Sequence, residues 1–480
     1  MSKTLTENPL VFSRRGFLGG GLALVASALS APMRGFAAAV ADASAPLPDY
    51  YRDYLAGIAA KVNALAAKTV DGFWFITDLH ITSNVRNSGK ALAALTPLTP
   101  LKKTFCGGDL PEAFSSRFES SKAGVDYAVN FYKSFWVDPI EGSGQLLYTA
   151  KGNHDFTIRY DAKTDDGFTY SGVEARRIVM GSKGCQKVVT NTADPEACYY
   201  YWDNAAAKVR YIVADTTDSV DPKAKYWAVR YGMHDAQILW LADNAVATIP
   251  DGWGAVVIHH IPITGVTGTV GDAKRFAPFR QLLETYQNRG RAKICGKDYD
   301  FTQAKGRILF DLCGHEHAER QTFQKGILHL TEPCDAAYGD YIIGSQPWCG
   351  DLPRKTRGTV YEQTFGAIQF DPTNDLVYVT RVGGGQDRVL HTKSCTVTCG
   401  EKRTFAATKL EGPVTWGCYD AEAVKFVPNP KSRYCPFVAY SNDVAEIAAD
   451  GSLLAKKPGE CMVVAMDAKF NKEIFPVTVA

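Results

Sequence analysis

An excess of charge of one sign is almost absent from this chain. Its 53 Lys and Arg stand against 51 Asp and Glu, a formal net charge of +2 over 480 residues. That balance offers no electrostatic footprint for nucleic acid or an anionic membrane surface. No Cys₄ or Cys₂His₂ spacing occurs, so a structural zinc site is not suggested. Twelve cysteines are too sparse for a disulfide scaffold and many for a chain kept in a reducing cytosol. There is no internal repeat and no low-complexity tract. What is present is ordinary globular material, 46% hydrophobic and 22% charged. Such a composition excludes a mostly disordered, collagen-like or mostly transmembrane protein. The length suits two or three domains.

The N-terminus reads as an address. Ser13-Arg14-Arg15-Gly16-Phe17-Leu18 is followed by a glycine-rich apolar run to about Ala31 and by small residues at Ala37, Ala38 and Ala39. A basic n-region, a short h-region and an A-x-A-like site together form an export signal. The run is too short and too rich in glycine for a transmembrane span, and an uncleaved N-terminal anchor is the alternative. Residues 1–41 resemble twin-arginine (Tat) signals. The resemblance implies that the Tat machinery exports an already folded chain, to the periplasm, the cell surface or the medium, with any metal acquired beforehand. Cleavage after residue 38 removes Lys3, Arg14, Arg15 and Arg34 together with Glu7, which takes the formal charge from +2 to −1.

Beyond the linker-like residues 42–50, Tyr51, Leu55, Ile58, Val62 and Leu65 recur at helical spacing and predict an amphipathic helix. Short apolar runs follow at Phe73–Thr77, Thr104–Cys106, Leu146–Thr149, Ala255–Ile258 and Ile308–Leu312. Helical stretches separate them, around Phe118–Phe135, Asp235–Ala247 and Arg275–Gln287. Strand and helix alternating in this way predict an α/β domain, here residues 42–391. Tyr199–Ala214, Gln321–Glu332 and Phe365–Arg381 alternate as hairpins, the last around the turn Asp371-Pro372-Thr373-Asn374-Asp375. Residues 394–480 read as all-β. The segments Ser441–Ile447, Asp450–Leu453 and Lys457–Cys461, ending at Val477-Thr478-Val479, resemble the group 2 bacterial immunoglobulin-like domain, with an insertion at Trp416–Pro436. That resemblance implies a small β-sandwich carried on exported proteins, suited to cell-surface or wall contact.

The residues that carry chemistry come in order: Asp78-Leu79-His80, Gly107-Gly108-Asp109, Gly152-Asn153-His154-Asp155, His259-His260 and Gly314-His315-Glu316-His317. Each alone has a plain reading, since an Asp caps a helix, a Gly-Asp marks a turn and a histidine more often packs than ligates. Together they hold six of the nine histidines of the chain. Every cluster lies just past a predicted strand, where open α/β sheets bind ligands. Asp, Asn and His are mixed oxygen and nitrogen donors that suit Mn, Fe or Zn. Seven such donors exceed one ion's needs, whereas two ions sharing a carboxylate would use them all. In two-metal sites about 3.5–4 Å apart, the pair clamps both oxygens of a displacement at phosphorus.

As an ordered set over roughly residues 73–381, these motifs resemble the calcineurin-like metallophosphoesterase superfamily. The resemblance implies a four-layer α/β/β/α sandwich followed by the small all-β domain. It also implies two metal ions, with Asp78, His80 and His317 on one, Asn153, His259 and His315 on the other, and Asp109 bridging. His154 would act as general acid and Asp155 would orient it. The expected activity is hydrolysis of phosphomonoester or phosphodiester bonds by in-line attack of metal-bound hydroxide. Two histidines compete for one position: His259 and His260 face opposite sides of an extended chain, and His259 is favoured as the first after the apolar strand. Glu112 stands where purple acid phosphatases carry a tyrosine, so a tyrosinate–iron(III) centre is not expected. Asn84, Arg86 and Arg159 follow the motif clusters and are candidates for phosphate contact. Of the cysteines, Cys185 with Cys198 and Cys334 with Cys349 bracket loops and are open to pairing after export. The alternative reading is a cell-surface binding protein that uses an inactive phosphoesterase fold as its platform.

Overall fold

Why the chain makes two large sheets is visible in its apolar runs. Asp71–Ile76 (β1), Lys103–Cys106 (β2) and Leu146–Thr149 (β3) are short, nearly continuous and buried on both faces, as parallel strands covered on two sides must be. The same holds for Val209–Val213 (β5), Gly254–Ile258 (β6) and Arg307–Cys313 (β7), with Tyr200–Asn204 (β4) antiparallel to β5. The computed structural model describes residues 46–80, 87–110, 113–114, 129, 132–155, 157–159, 168–169, 172–218, 232–264, 273–335, 355–356, 358–421, 423–429 and 432–480. The export-signal segment, Asn84, Arg86, Glu112 and Cys349 lie outside them.

The two large sheets also contain Arg320–Gln324 (β8), Ile327–Thr331 (β9), Thr364–Asp371 (β10), Leu376–Gly383 (β11), Arg388–His391 (β12), Thr415–Asp420 (β13), Gly459–Met466 (β14) and Lys472–Val479 (β15). The first sheet runs β13-β14-β15-β12-β11-β10-β1-β2-β3, and the second runs β8-β9-β7-β6-β5-β4 to Val189–Thr190. The three hairpins read from the sequence are all formed, as β4/β5, β8/β9 and β10/β11. Phe73, Phe75 and Phe105 from the first sheet share one core with Tyr211, Val256, Phe310 and Leu312 from the second. The far face of the second sheet, Ile212, Ala255 and Val257, is covered by Ile238 and by Phe276, Phe279 and Leu282 of the helix Ala273–Gln287. Against the first sheet, the helix Tyr50–Ala66 buries Tyr51, Leu55, Ile58, Ala59 and Val62, the stripe its spacing predicts. This is a mixed α/β fold with large sheets and few helices.

Residues 395–479 are rich in strands, and their principal sheet is continuous with the first. β15 pairs in parallel with β12, Arg388 opposite Lys472 and Leu390 opposite Ile474. Tyr419, Met462, Val464 and Ile474 join the core that contains Phe370 and Val377, while Val397, Phe405, Leu453, Val463 and Val477 form a cluster of their own. The Cys185–Cys198 pairing is not formed: both thiols are free and buried, and the Cys334 side chain is buried too. Cys185 turns instead toward the Tyr200 hydroxyl, 3.6 Å away.

Because Ile474 is fully buried in the shared core, Ile474→Ala should destabilise the whole chain by about 2–5 kcal/mol. Near-UV circular dichroism against denaturant should show one transition displaced as a unit. A displaced minor transition beside an unmoved major one would contradict the shared core.

Candidate metal centre

Five loops meet at one end of the two sheets, each just past a parallel strand: β1, β2 and β3 in the first, β6 and β7 in the second. The backbone there is unusual. Asp78, His80, Asp109, His315 and His317 have φ of 54°, 43°, 55°, 70° and 53°. Side chains seldom adopt this left-handed region, and such residues persist only where their surroundings over-determine them. Here the surroundings do so. Asp78 N–H donates to Gly108 O (2.9 Å), His80 N–H to Asp109 O (3.0 Å) and Gly314 N–H to His260 O (3.0 Å). Close approach requires glycine at two points. A Cβ on Gly152 would lie 2.2 Å from Asp109 N, and one on Gly314 would lie 2.0 Å from Thr77 Oγ1.

Each of the two central carboxylates spends one oxygen on the scaffold and presents the other. Asp78 Oδ2 accepts from the Thr77 hydroxyl (2.7 Å) and from His315 N–H (2.9 Å). Its Oδ1 lies 3.2 Å from His317 Nε2. Asp109 Oδ1 accepts from His154 N–H at 2.8 Å. Its Oδ2 faces His260 Nε2 at 3.3 Å, His80 Nε2 at 3.8 Å and His154 Nε2 at 3.9 Å. Two convergent donor sets result: Asp78, His80, Asp109 and His317, and Asp109, His260 and His315. Asp109 belongs to both. Asn153 Oδ1 adds to the second set, 3.1 Å from His260 Nε2.

The donor chemistry fits a pair of cations. His80 Nε2 and His317 Nε2 point at each other across 3.3 Å. Ligands held at about 2.1 Å around one ion lie about 3–3.4 Å apart. Asp78 and Asp109 are essentially inaccessible, at 0% and 1% exposure, and two ionised carboxylates so buried require cations. Burial raises the Asp109 carboxyl, but His260, His154 and His80 outweigh it and hold the group well below the usual range. For His260, burial lowers the imidazolium while Asp109 and Asp78 outweigh it, to about 9. Burial and the neighbouring His260 push His315 down to about 3. A centre that needs positive charge here will take it as protons or as metal ions.

Two sequence expectations are corrected. The histidine that reaches the cluster is His260, not His259. His260 Nδ1 donates to Gly107 O at 2.7 Å, which leaves Nε2 as the lone-pair nitrogen aimed at the donors. His259 turns to the opposite side and meets Asp311 Oδ2 at 2.8 Å. Both faces of β6 are buried, so apolar alternation does not distinguish them, and no local signal would have. Asp155 does not act on the His154 ring. Its carboxylate accepts the N–H of Gly152 (2.7 Å), Asp109 (3.1 Å) and Leu110 (2.6 Å), tying the β2 loop to the β3 loop. His154 itself is partly exposed at the rim of the cluster, its ring 5.0 Å from that of His80. The sequence offered Cys334 only as a pairing candidate and carried no sign that it stands beside the cluster, a buried thiol that hydrogen-bonds His317 and lies 3.8 Å from Lys355 Nζ.

No family model and no curated protein matches the chain. Solved structures do resemble it at low identity. Phosphopantetheinyl hydrolase (PptH) from Mycobacterium tuberculosis is 13% identical, with 55% of this chain and 89% of that one covered and a TM-score of 0.28. PhoD is 11% identical over 67% and 70% of the two chains, with a TM-score of 0.42. GAP50, the anchor in the inner membrane complex of Plasmodium, is 11% identical over 65% and 84%, with a TM-score of 0.36. Values this low leave the function to be read from the site.

Gly152→Ala should displace Asp109 and cost about 1–3 kcal/mol of stability through overpacking. Thermal unfolding of the metal-stripped chain measures it, and an unchanged midpoint would contradict the close approach.

Proposed function

We propose that this chain is an exported phosphoesterase that uses two metal ions to hydrolyse phosphomonoesters or phosphodiesters. The observation that carries the reading is Asp109, one fully buried carboxylate common to two convergent donor sets. Asp78, His80, His317 and Asp109 would hold one ion, and Asp109, Asn153, His260 and His315 the other, from Mn, Fe or Zn. Two such ions would polarise the phosphoryl group and lower the pKa of an attacking water. The chain's own part is positional. Gly107 O orients His260, Thr77 and the His315 N–H orient Asp78, and the three N–H groups held by Asp155 keep Asp109 in register with Asn153. His154, at the rim beside Asp109, would hand a proton to the leaving oxygen. The twin-arginine pattern in residues 1–41 supports export through the Tat machinery with ions bound beforehand. The strand-rich residues from 394 to 480 support a contact with the cell surface or wall. No helix among the described residues is long and apolar enough to cross a membrane.

The test is hydrolysis of p-nitrophenyl phosphate and bis-p-nitrophenyl phosphate after stripping and reloading with Mn, Fe or Zn. Metal-restored turnover is expected, with kcat about 10²–10⁴-fold lower in His154→Ala. His260→Ala should lower bound metal from two ions per chain to one, whereas His259→Ala should keep two. Silence on both substrates with no metal bound would sink the reading.

Acidity gives a second check. With His260 raised to about 9, its contribution to the stability of the stripped chain is full below its ordinary value of about 6.5 and is lost as pH rises through about 9. Metal competes with that proton. The gain in Tm on adding Mn²⁺ should therefore widen from pH 6 to pH 9, and a gain that shrinks over that range would contradict the assignment.

A further inference from the structure

Starting two residues after His317 is a buried ionic network that no motif announces. Glu319 and Glu332 are 1% and 3% exposed, and Arg381, Arg388 and Lys472 are equally enclosed. Arg381 bridges the two carboxylates, at 2.7 Å to Glu319 and 2.9 Å to Glu332. Arg388 contacts both as well. Lys472 Nζ closes the set on Glu319 Oε1 at 3.0 Å. Glu319 directly precedes β8, Glu332 directly follows β9, Arg381 is on β11, Arg388 is on β12, and Lys472 is the first residue of β15.

The position of Glu319 gives this network a consequence. Two residues earlier stands His317, a member of the first donor set, in left-handed backbone with a φ of 53°. Conformations of that kind hold only where neighbours pin the chain on both sides. Toward the cluster the pin is the hydrogen bond from His315 N–H to Asp78. On the other side the anchors are Glu319 in its ring of cations and Glu316 paired with Arg320 at 2.9 Å. The C-terminal strands reach β8 by further links: the Tyr419 hydroxyl donates to Gln321 O at 3.1 Å and accepts from Gln321 Nε2 at 3.0 Å, and the Thr322 hydroxyl donates to Ala421 O.

We infer that the C-terminal β-segment is a working part of the metal centre, with Lys472 as a positioning residue that acts through Glu319 on His317. The inference rests on the two-metal reading above and gives it a structural dependence. A tail used only for display would have no reason to place a buried cation on the loop of a metal ligand. Lys472 is one of the three cations, with Arg381 and Arg388, that hold Glu319 in place, and Glu319 holds the end of the loop that aims His317. Without that charge the loop loses an anchor, and the ion shared by Asp78, His80 and His317 is the one affected.

The test uses the full mature chain. Mn²⁺ binding is measured by equilibrium dialysis beside thermal unfolding of the stripped protein, for wild type, Lys472→Met, Lys472→Gln, Lys472→Arg and Tyr419→Phe. Partners that orient metal ligands commonly contribute 10- to 100-fold in affinity. One of the two Mn²⁺ sites should weaken about 10-fold in Lys472→Met and Lys472→Gln, the other should hold its affinity, and Lys472→Arg should recover the weakened one. Tyr419→Phe, which removes both hydrogen bonds to Gln321 but no charge, controls for loosening alone: it should lower the unfolding midpoint and leave both affinities in place. Should Lys472→Met fail to fold, Lys472→Gln and Lys472→Arg carry the comparison. Wild-type affinities in the folded charge-removing variants, or equal weakening in Tyr419→Phe, would overturn this inference alone. A wild-type chain that holds no Mn²⁺ would overturn the metal-centre reading and this inference with it.

Discussion

The burial of Asp109 is the constraint to which the rest of the structure answers. A carboxylate removed from water must be met by positive charge or by several donors, or it will not stay ionised. Here one oxygen takes the His154 N–H and the other faces three imidazoles. That arrangement requires loops from both sheets at one point, and so requires the carboxyl ends of β1, β2, β3, β6 and β7 to coincide. Packing Phe73, Phe75 and Phe105 against Tyr211, Val256 and Phe310 brings the ends together. The core thus decides where the polar groups meet, and the polar groups decide which backbone shapes the loops must take.

Those shapes are strained, and the strain is local. Left-handed φ values at five donor residues would be unstable in isolation. They are held by ladder hydrogen bonds that run on past the strand ends, by Gly152 and Gly314 where a Cβ would collide, and by the Asp155 carboxylate gathering three N–H groups. Preorganisation of this kind keeps donor atoms aimed at a common point before a cation arrives. The same logic extends outward to Glu319 and its cations, so the scaffold around the centre reaches as far as β15, some 150 residues later in sequence.

The C-terminal strands therefore have two aspects. One face feeds the main core through Tyr419, Met462, Val464 and Ile474, and the other closes over its own cluster around Phe405 and Val463. Edge strands invite unwanted pairing unless they are covered. β8 is the edge of the second sheet, and the C-terminal strands cover it through Gln321 and Thr322. A segment that protects an edge, extends a sheet and supplies a buried lysine to a loop is joined to the centre by physical contacts as well as by the chain.

By itself the sequence determined the element types and the chemistry. Short doubly apolar runs between turn signals read as buried strands, the stripe from Tyr51 to Val62 reads as an amphipathic helix, and Asp, Asn and His gathered after strands are candidate metal donors of mixed type. These are local properties, set by side-chain periodicity and by ligand chemistry. Tertiary structure alone decided the rest. It chose His260 over His259, because both faces of β6 are buried and only the position of the β2 loop shows which one meets Asp109. It gave Asp155 to the backbone, because the nearest donors to its carboxylate come from Gly152 and from a loop more than forty residues away. It joined β15 to β12 and Lys472 to Glu319, pairings across about 80 and 150 residues that no local pattern encodes. Long-range partners are selected by packing the whole chain at once, and that selection turned a list of donors into a centre.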